Sequence, residues 1–336
     1  MTTFQLPPHS LNQEGKIRTV GFELEYADVD LATGVAMQET LLDSNVESEG
    51  AFRFLLPWQG QGKFKLEVDS ALLSEGTSKD YLTAVGIETR NLNLEQKIDD
   101  IVESLASVLV PCEIVTPPLP MNDIAVIDQI ARGLRKRHTR GTGKFLPYSF
   151  ELYINPEVAS FDPGYLLRHI QAFVLLYSWI CRDSKVDFTR KLSTYIKPYP
   201  ADYIERIFSP AYSPDTEALI DDYMDDVGSR NHALDMLPLF AYMDEERVMA
   251  KAREPDLIKP RPAFHYRLAN SQVDQPQWNV AGGWIYWVEV EKLAHNEEAL
   301  QGLCHDYLVK NPASVFRSDA SWAAHVAKVL QLENHK

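Results

Sequence analysis

Hydrophobic and polar residues alternate strictly over Thr19–Tyr26. Val20, Phe22, Leu24 and Tyr26 share one parity, and Gly21, Glu23 and Glu25 share the other. A period of two puts one set in a core and the other on an open face, so the stretch predicts a β-strand. Lys63–Asp69 repeats the pattern, with Phe64, Leu66 and Val68 against Lys65, Glu67 and Asp69. In Tyr148–Asn155, Phe150, Leu152 and Ile154 oppose Glu151, Tyr153 and Asn155. In Phe264–Leu268, His265 and Arg267 share a parity. Such alternation belongs to antiparallel strands covered on one side and wet on the other.

Helical spacing fills much of the remainder. Asn93, with Gln96 placed for a capping box, predicts a helix to about Leu109. A second helix from near Asn122 would bury Ile124, Ile127, Ile130 and Leu134. Asp162-Pro163 marks the start of a third, a cap followed by Pro at the first helical position. The segment from Ala201 into the 250s is helical in composition, and Ser318 would cap a last helix burying Trp322, Val326, Val329 and Leu330. Ala281–Trp284, AGGW, reads as a turn and lacks the spacing and lysine of a phosphate loop. Strands and helices are mixed without regular βαβ alternation. The expected class is α+β, an antiparallel sheet with helices packed on its apolar face. No Pro/Gly/Ser-rich linker breaks the chain, which predicts one domain over 1–336. A mainly helical insertion at about 157–258 and a helical C-terminal segment at about 285–336 would complete it.

With 336 residues, 45% of them hydrophobic and 24% charged, the chain has ample material for a core. A formal net charge of -15 argues against nucleic acid as the main partner. Cys112, Cys181 and Cys304 are odd in number and far apart, which predicts reduced, buried thiols. The start, MTTFQLPPHS, lacks a signal-peptide pattern, and no apolar run is long enough to cross a bilayer. A cytoplasmic protein with no membrane partner is expected. Oligomeric state, including a homo-oligomer, stays open.

The wet faces carry the candidate chemistry. Glu23 and Glu25, two apart on a strand, lie roughly 6.5 Å from each other. At an effective dielectric near 20 their carboxylates would repel by about 2.5 kcal/mol. Glu67 and Asp69, then Glu113, then Glu151, Tyr153 and Asn155, then His265 and Arg267, would join them if these strands share one sheet. The result is a carboxylate trough with a cation at one end, oxygen-rich in a way that suits magnesium or manganese.

Six stretches in order, GFELEY, LEVDSALL, EIVTPPLP, SFELYINPEV, RNHALDMLP and FHYRLANS, resemble the amidoligase family, which is related to glutamate–cysteine ligase and glutamine synthetase. The resemblance implies a curved antiparallel sheet of the glutamine-synthetase-like type. It also implies an ATP-dependent ligase that joins a small-molecule or peptide carboxylate to an amine through an acyl phosphate. By the same resemblance Glu23, Glu25, Asp69 and Glu113 would hold Mg2+ or Mn2+, with Glu67 and His265 as further candidates. Arg267 would act on the phosphoryl group and Arg230 on substrate or phosphate, while Tyr153 and His265 fall at one metal site and Asp235 falls where the family usually has asparagine. Lys65, Tyr153, Asn155 and Asp235 are the candidates for binding the cofactor. Two positions depart from the pattern. Tyr153 stands where the family commonly has histidine, and His265 where it usually has glutamate. Two other readings use the same residues: a phosphotransferase of the guanidino-kinase type, and a non-catalytic binder of nucleotide or amino acid.

Each residue also has a plain structural role open to it. Glu23 and Glu25 could be a solvated strand edge, and Glu67 and Asp69 could pair with Lys63 and Lys65. The Thr116-Pro117-Pro118 turn is stiff enough to be structural and to aim Glu113. His265 could be a satisfied half-buried histidine. Arg267, central in an apolar strand, demands an acidic or phosphate partner. The basic stretch Arg132–Lys144 fits a helix end with favourable dipole charges better than a substrate lid. Asp221, Asp222, Asp225 and Asp226 would lie solvated on a helix.

Overall fold

The computed structural model describes residues 4–26, 29, 31–50, 53–68, 112–138, 150–184, 199–310 and 320–332. Asp69, the helix expected over 93–109, Ser318 and the basic stretch beyond His138 lie outside them. The strands are β1 (Thr19–Tyr26), β2 (Glu47–Ser48), β3 (Arg53–Pro57), β4 (Lys63–Val68), β5 (Cys112–Val115), β6 (Leu119–Pro120), β7 (Glu151–Pro156), β8 (Leu234–Asp235) and β9 (His265–Asn270). They form one antiparallel sheet in the order β2-β3-β4-β5-β1-β7-β9-β8, with β6 beside β1. The fold is therefore α+β, as the alternation predicted.

Register explains the two faces. Phe54, Leu66, Ile114, Leu24, Leu152 and Ala269 are paired in turn across six strands, a continuous apolar row. All six are buried, and burying each large side chain stabilises by roughly 1.5–3 kcal/mol. The helices that cover this face come from distant parts of the chain. Among them, α1 (Leu31–Leu42) lies over β3 and β4. Helix α2 (Ala125–His138) buries Ile127, Ile130 and Leu134, with Ile124 buried just before it. Helix α3 (Pro163–Asp183) starts at Asp162, whose side chain accepts from the Tyr165 N–H at 2.8 Å. It is buried nearly all round because other helices pack on it.

Between α3 and β9 run α4 (Ala201–Phe208), α5 (Thr216–Asp226), α6 (Leu237–Met243) and α7 (Glu245–Lys251). The aspartates of α5 are not merely solvated: Arg247 pairs with Asp221, Lys251 with Asp221 and Asp225, and Arg206 with Asp222 and Asp226. They fasten α5 to α4 and α7. The last helices are α8 (Val280–Ala294), α9 (Glu297–Lys310) and α10 (Ala320–Leu330). In α10, Trp322 and Val326 are buried as expected, but Val329 is 45% exposed and Leu330 only partly covered, at the end of the helix.

The AGGW stretch is the first turn of α8 and not a loop turn. Asn279 caps it by accepting from the Gly282 N–H at 2.9 Å. A β-carbon at Gly283 would meet Leu152 at 3.0 Å and Ala269 at 3.3 Å. Glycine there lets the helix lie directly on β7 and β9. Cys112, Cys181 and Cys304 are free and buried, and no helix among the described residues is long and apolar enough to cross a membrane.

Candidate active site on the open sheet face

The opposite face carries two rows that are polar except for Val115. Arg53, Glu67, Glu113 and Glu25 are paired successively across β3, β4, β5 and β1. Lys65, Val115, Glu23 and Tyr153 are paired across β4, β5, β1 and β7. Directly paired side chains have β-carbons about 4.5–5.5 Å apart, so Glu113 stands between Glu67 and Glu25. Thr116 stitches this register: its hydroxyl accepts from the Phe22 N–H at 2.9 Å, and its own N–H donates to the Phe22 carbonyl at 2.9 Å. The turn before the two prolines thus fixes where Glu113 points.

The four carboxylates differ in how they are held. Glu67 is paired with Arg53 at 2.7 Å and with Lys65. Burial pushes its carboxyl up, but the hydrogen bonds and charges of Lys65 and Arg53 bring it below the usual range. Glu25 accepts from the Glu151 N–H at 2.8 Å. Glu23 accepts from Asn155 Nδ2 at 2.8 Å and faces Arg261 Nη1 at 3.6 Å. Burial raises its carboxyl, while His265 in cationic form, Arg261, the Asn155 hydrogen bond and Arg267 outweigh this and hold it low. Glu113 is pushed well above the ordinary carboxylate range by burial, then by the neighbouring charges of Glu23 and Glu25, with Lys65 opposing and Glu67 adding.

The other end of the face is cationic. A register shift between β7 and β9 leaves Arg267 and Leu268 opposite Tyr153 alone, a bulge that re-aims Arg267. Its guanidinium donates to the Arg230 carbonyl at 3.0 Å and the Tyr153 hydroxyl at 3.3 Å, lies 4.9 Å from the Tyr153 ring centroid, and has Glu151 Oε2 at 4.0 Å. The acidic partner its burial demanded is therefore Glu151. Tyr153 hydrogen-bonds to Glu151 in turn, and burial, followed by the charge of Glu25, pushes its phenol well above the usual range. A phenol held protonated and engaged on both sides is a poor metal ligand.

His265 is 7% exposed and neither ring nitrogen finds a hydrogen-bond partner; Asp235 Oδ2 lies 3.4 Å from Nδ1. Burial, then the positive charge of Arg261, holds its imidazole well below the usual range, against the pull of Glu23. The satisfied half-buried histidine considered above does not describe it. Asp235 accepts from the Leu237 N–H at 2.9 Å, and burial raises its carboxyl to about 6 against that bond and Arg267. Arg230 is half-buried, its backbone carbonyl taken by Arg267.

One face therefore gathers Glu23, Glu25, Glu67, Glu113, Lys65, Tyr153, Asn155, His265 and Arg267, with Asp235 beside His265. Among the described residues, no group of three or more His, Cys, Asp or Glu is arranged in metal-ligating geometry. The donor chemistry nonetheless fits a hard divalent cation: oxygen-only carboxylates, crowded enough that Glu113 is driven toward its neutral form. Sequence reasoning did not find Arg261. Its signal is the run Lys259-Pro-Arg-Pro262, a cation between two prolines just before β9.

An open antiparallel sheet with an acidic trough, and the buried Arg267 at one end of it, makes this an α+β protein with its charged residues gathered on one face. A family model described as "Putative amidoligase enzyme" matches residues 16–289, and the chain belongs to that family. No curated protein and no solved structure gives a match.

Proposed function

We propose that the chain is an ATP-dependent carboxylate–amine ligase whose sheet is of the glutamine-synthetase-like type. A substrate carboxylate oxygen attacks the γ-phosphorus of ATP and ADP leaves. The amine nitrogen then attacks the acyl carbon, phosphate departs, a proton is lost from nitrogen and an amide remains. Glu23, Glu25 and Glu113 would hold Mg2+ or Mn2+, with Asp69 added by family resemblance. The bound cation would neutralise phosphate charge. Arg267, buried and held by Tyr153 and Glu151, stabilises charge on the transferring phosphoryl group. Arg230, beside it, serves the substrate or phosphate. The observation that carries the reading is the unbroken row Glu67–Glu113–Glu25, whose crowding a divalent cation relieves.

The test is ADP release across a panel of free amino acids, peptides and peptidoglycan-type stems, with and without amines. The expected result is ADP and phosphate only when acid and amine are both present. ADP formation with a stable phosphorylated product and no amine dependence points to a phosphotransferase. One observation favours a second reading, a non-catalytic binder: Tyr153, at a position where the family commonly has histidine, is committed to Arg267 and Glu151. Tight ATP binding with no ADP from any pair would support it.

A further inference from the structure

Arg261 has no part in the reading above, yet it is held in place with care. Prolines 260 and 262 flank it and restrict its backbone. Its N–H donates to the Pro238 carbonyl at 3.0 Å, its carbonyl accepts from the Ala263 N–H at 2.8 Å, and the Pro262 carbonyl accepts from the Val158 N–H at 3.0 Å. The backbone is thereby tied to the end of β7 and the start of α6.

The side chain is held much more loosely. Arg261 Nη1 lies 3.6 Å from Glu23 Oε1, an attraction without a hydrogen bond. That oxygen already accepts from Asn155. Arg261 Nε is buried and finds no hydrogen-bond partner, and neither do the two ring nitrogens of the buried His265 nearby. A guanidinium on a fixed backbone, drawn to a carboxylate but not locked to it, and beside donors still unused, is placed to exchange partners.

Resting on the reading of Glu23 as a cation ligand, we propose that Arg261 is the resident counter-ion of Glu23. It gives up that carboxylate when a divalent cation takes it and turns to an oxyanion at the Arg267 end of the face. The oxyanion is a phosphoryl or carboxylate group. Arg261 and the cation compete for one carboxylate, while Arg261 and the anion attract. Cation binding and anion binding therefore strengthen each other, and by linkage they do so reciprocally.

The experiment is calorimetric and needs no turnover. MgCl2 is titrated into wild type, Arg261→Met, Arg261→Lys and Glu23→Gln; inorganic phosphate, and separately acetate, is then titrated into Mg2+-saturated protein. Arg261→Met is expected to bind Mg2+ roughly 2- to 5-fold more tightly, since a partly exposed competitor is gone. The same variant is expected to bind the anion roughly tenfold more weakly. Arg261→Lys keeps the wild-type Mg2+ affinity. Whichever of phosphate and acetate shows the loss identifies the group received. Opposite signs from one substitution are not what a misfolded variant gives. Mg2+ affinity that falls or stays unchanged in Arg261→Met, or neither anion weakened, overturns the proposal. If Glu23→Gln weakens Mg2+ while Arg261→Met does not alter it, only this proposal fails. If wild type binds no Mg2+, the cation reading fails with it.

Discussion

Glu113 and Glu25 are direct cross-strand partners on β5 and β1, two acids facing each other on the open side of the sheet. Like charges so placed are destabilising, and burial leaves little water to screen them. The sheet maintains this arrangement against its own stability, which is the expected mark of a site and not of a scaffold.

The first prediction concerns Glu113→Gln in the metal-free protein. The folded-state pKa of Glu113 is raised, so its proton is favoured by folding. Stability from this group is full below the ordinary carboxylate value and falls as pH rises toward the folded value. At neutral pH the substitution removes the penalty. The expected gain is about 0.5–1 kcal/mol, read as a thermal midpoint higher by roughly 1–3 °C. Added Mg2+ should raise the wild-type midpoint and leave the variant nearly unmoved. A variant less stable than wild type at neutral pH contradicts the crowding.

A second prediction concerns the fully buried pair Arg18–Glu291. Arg18 donates to Glu291 at 2.7 and 2.8 Å, to the Glu157 carbonyl and to the His9 carbonyl, and Trp287 Nε1 donates to Glu291 at 2.7 Å. Removing one partner strands the other charge, so Glu291→Ala should cost about 3–5 kcal/mol in urea unfolding. Burial raises the Glu291 carboxyl, but Arg18 more than offsets this and holds it low. Its contribution is therefore present above the ordinary carboxylate pKa and is lost as pH falls through the folded value. A loss below about 1 kcal/mol at neutral pH would mean the pair is open to water.

The adjacent glycines of α8 give a third prediction with a built-in control. Gly283→Ala would press on Leu152 and Ala269, which must give by a few tenths of an ångström, and should destabilise by about 1–3 kcal/mol. At Gly282 the nearest atom to an added β-carbon is Asn279 Oδ1 at 3.7 Å, so Gly282→Ala is neutral or stabilises by up to about 1 kcal/mol. Equal effects at the two positions would contradict the close helix–sheet packing.

Those glycines also mark where the sequence misleads. Two in a row read locally as a turn, but Gly283 serves a distant contact with β7 and β9, which no local pattern encodes. The strands β1, β4, β7 and β9 were legible because apolar and polar residues alternate along each in the sequence. Glu113 was legible through its turn. β3 was missed because Arg53–Pro57 is short and Leu55 blurs its alternation. The pairing of Glu67 with Arg53 depends on that missed strand. Arg261 was invisible because its partner Glu23 is more than two hundred residues away, in a loop-to-strand contact with no periodicity.

The fourth prediction isolates Tyr153. Tyr153→Phe keeps the ring under Arg267 and removes the hydroxyl that accepts from it at 3.3 Å. Turnover should fall roughly tenfold, the order of one charge-assisted hydrogen bond, with little change in ATP affinity. Unchanged turnover would show that Arg267 is positioned by Glu151 and the Arg230 carbonyl alone.

The central claim is that acids from separate strands form one divalent-cation site, and Mn2+ titration followed by electron paramagnetic resonance tests it most directly. Wild type should deplete the free-Mn2+ signal in a saturable way. Glu25→Gln and Glu113→Gln should each weaken that binding by at least roughly tenfold, as loss of a charged ligand implies, with the fold intact by circular dichroism. Undiminished Mn2+ binding in both variants, or none in wild type, would contradict the account.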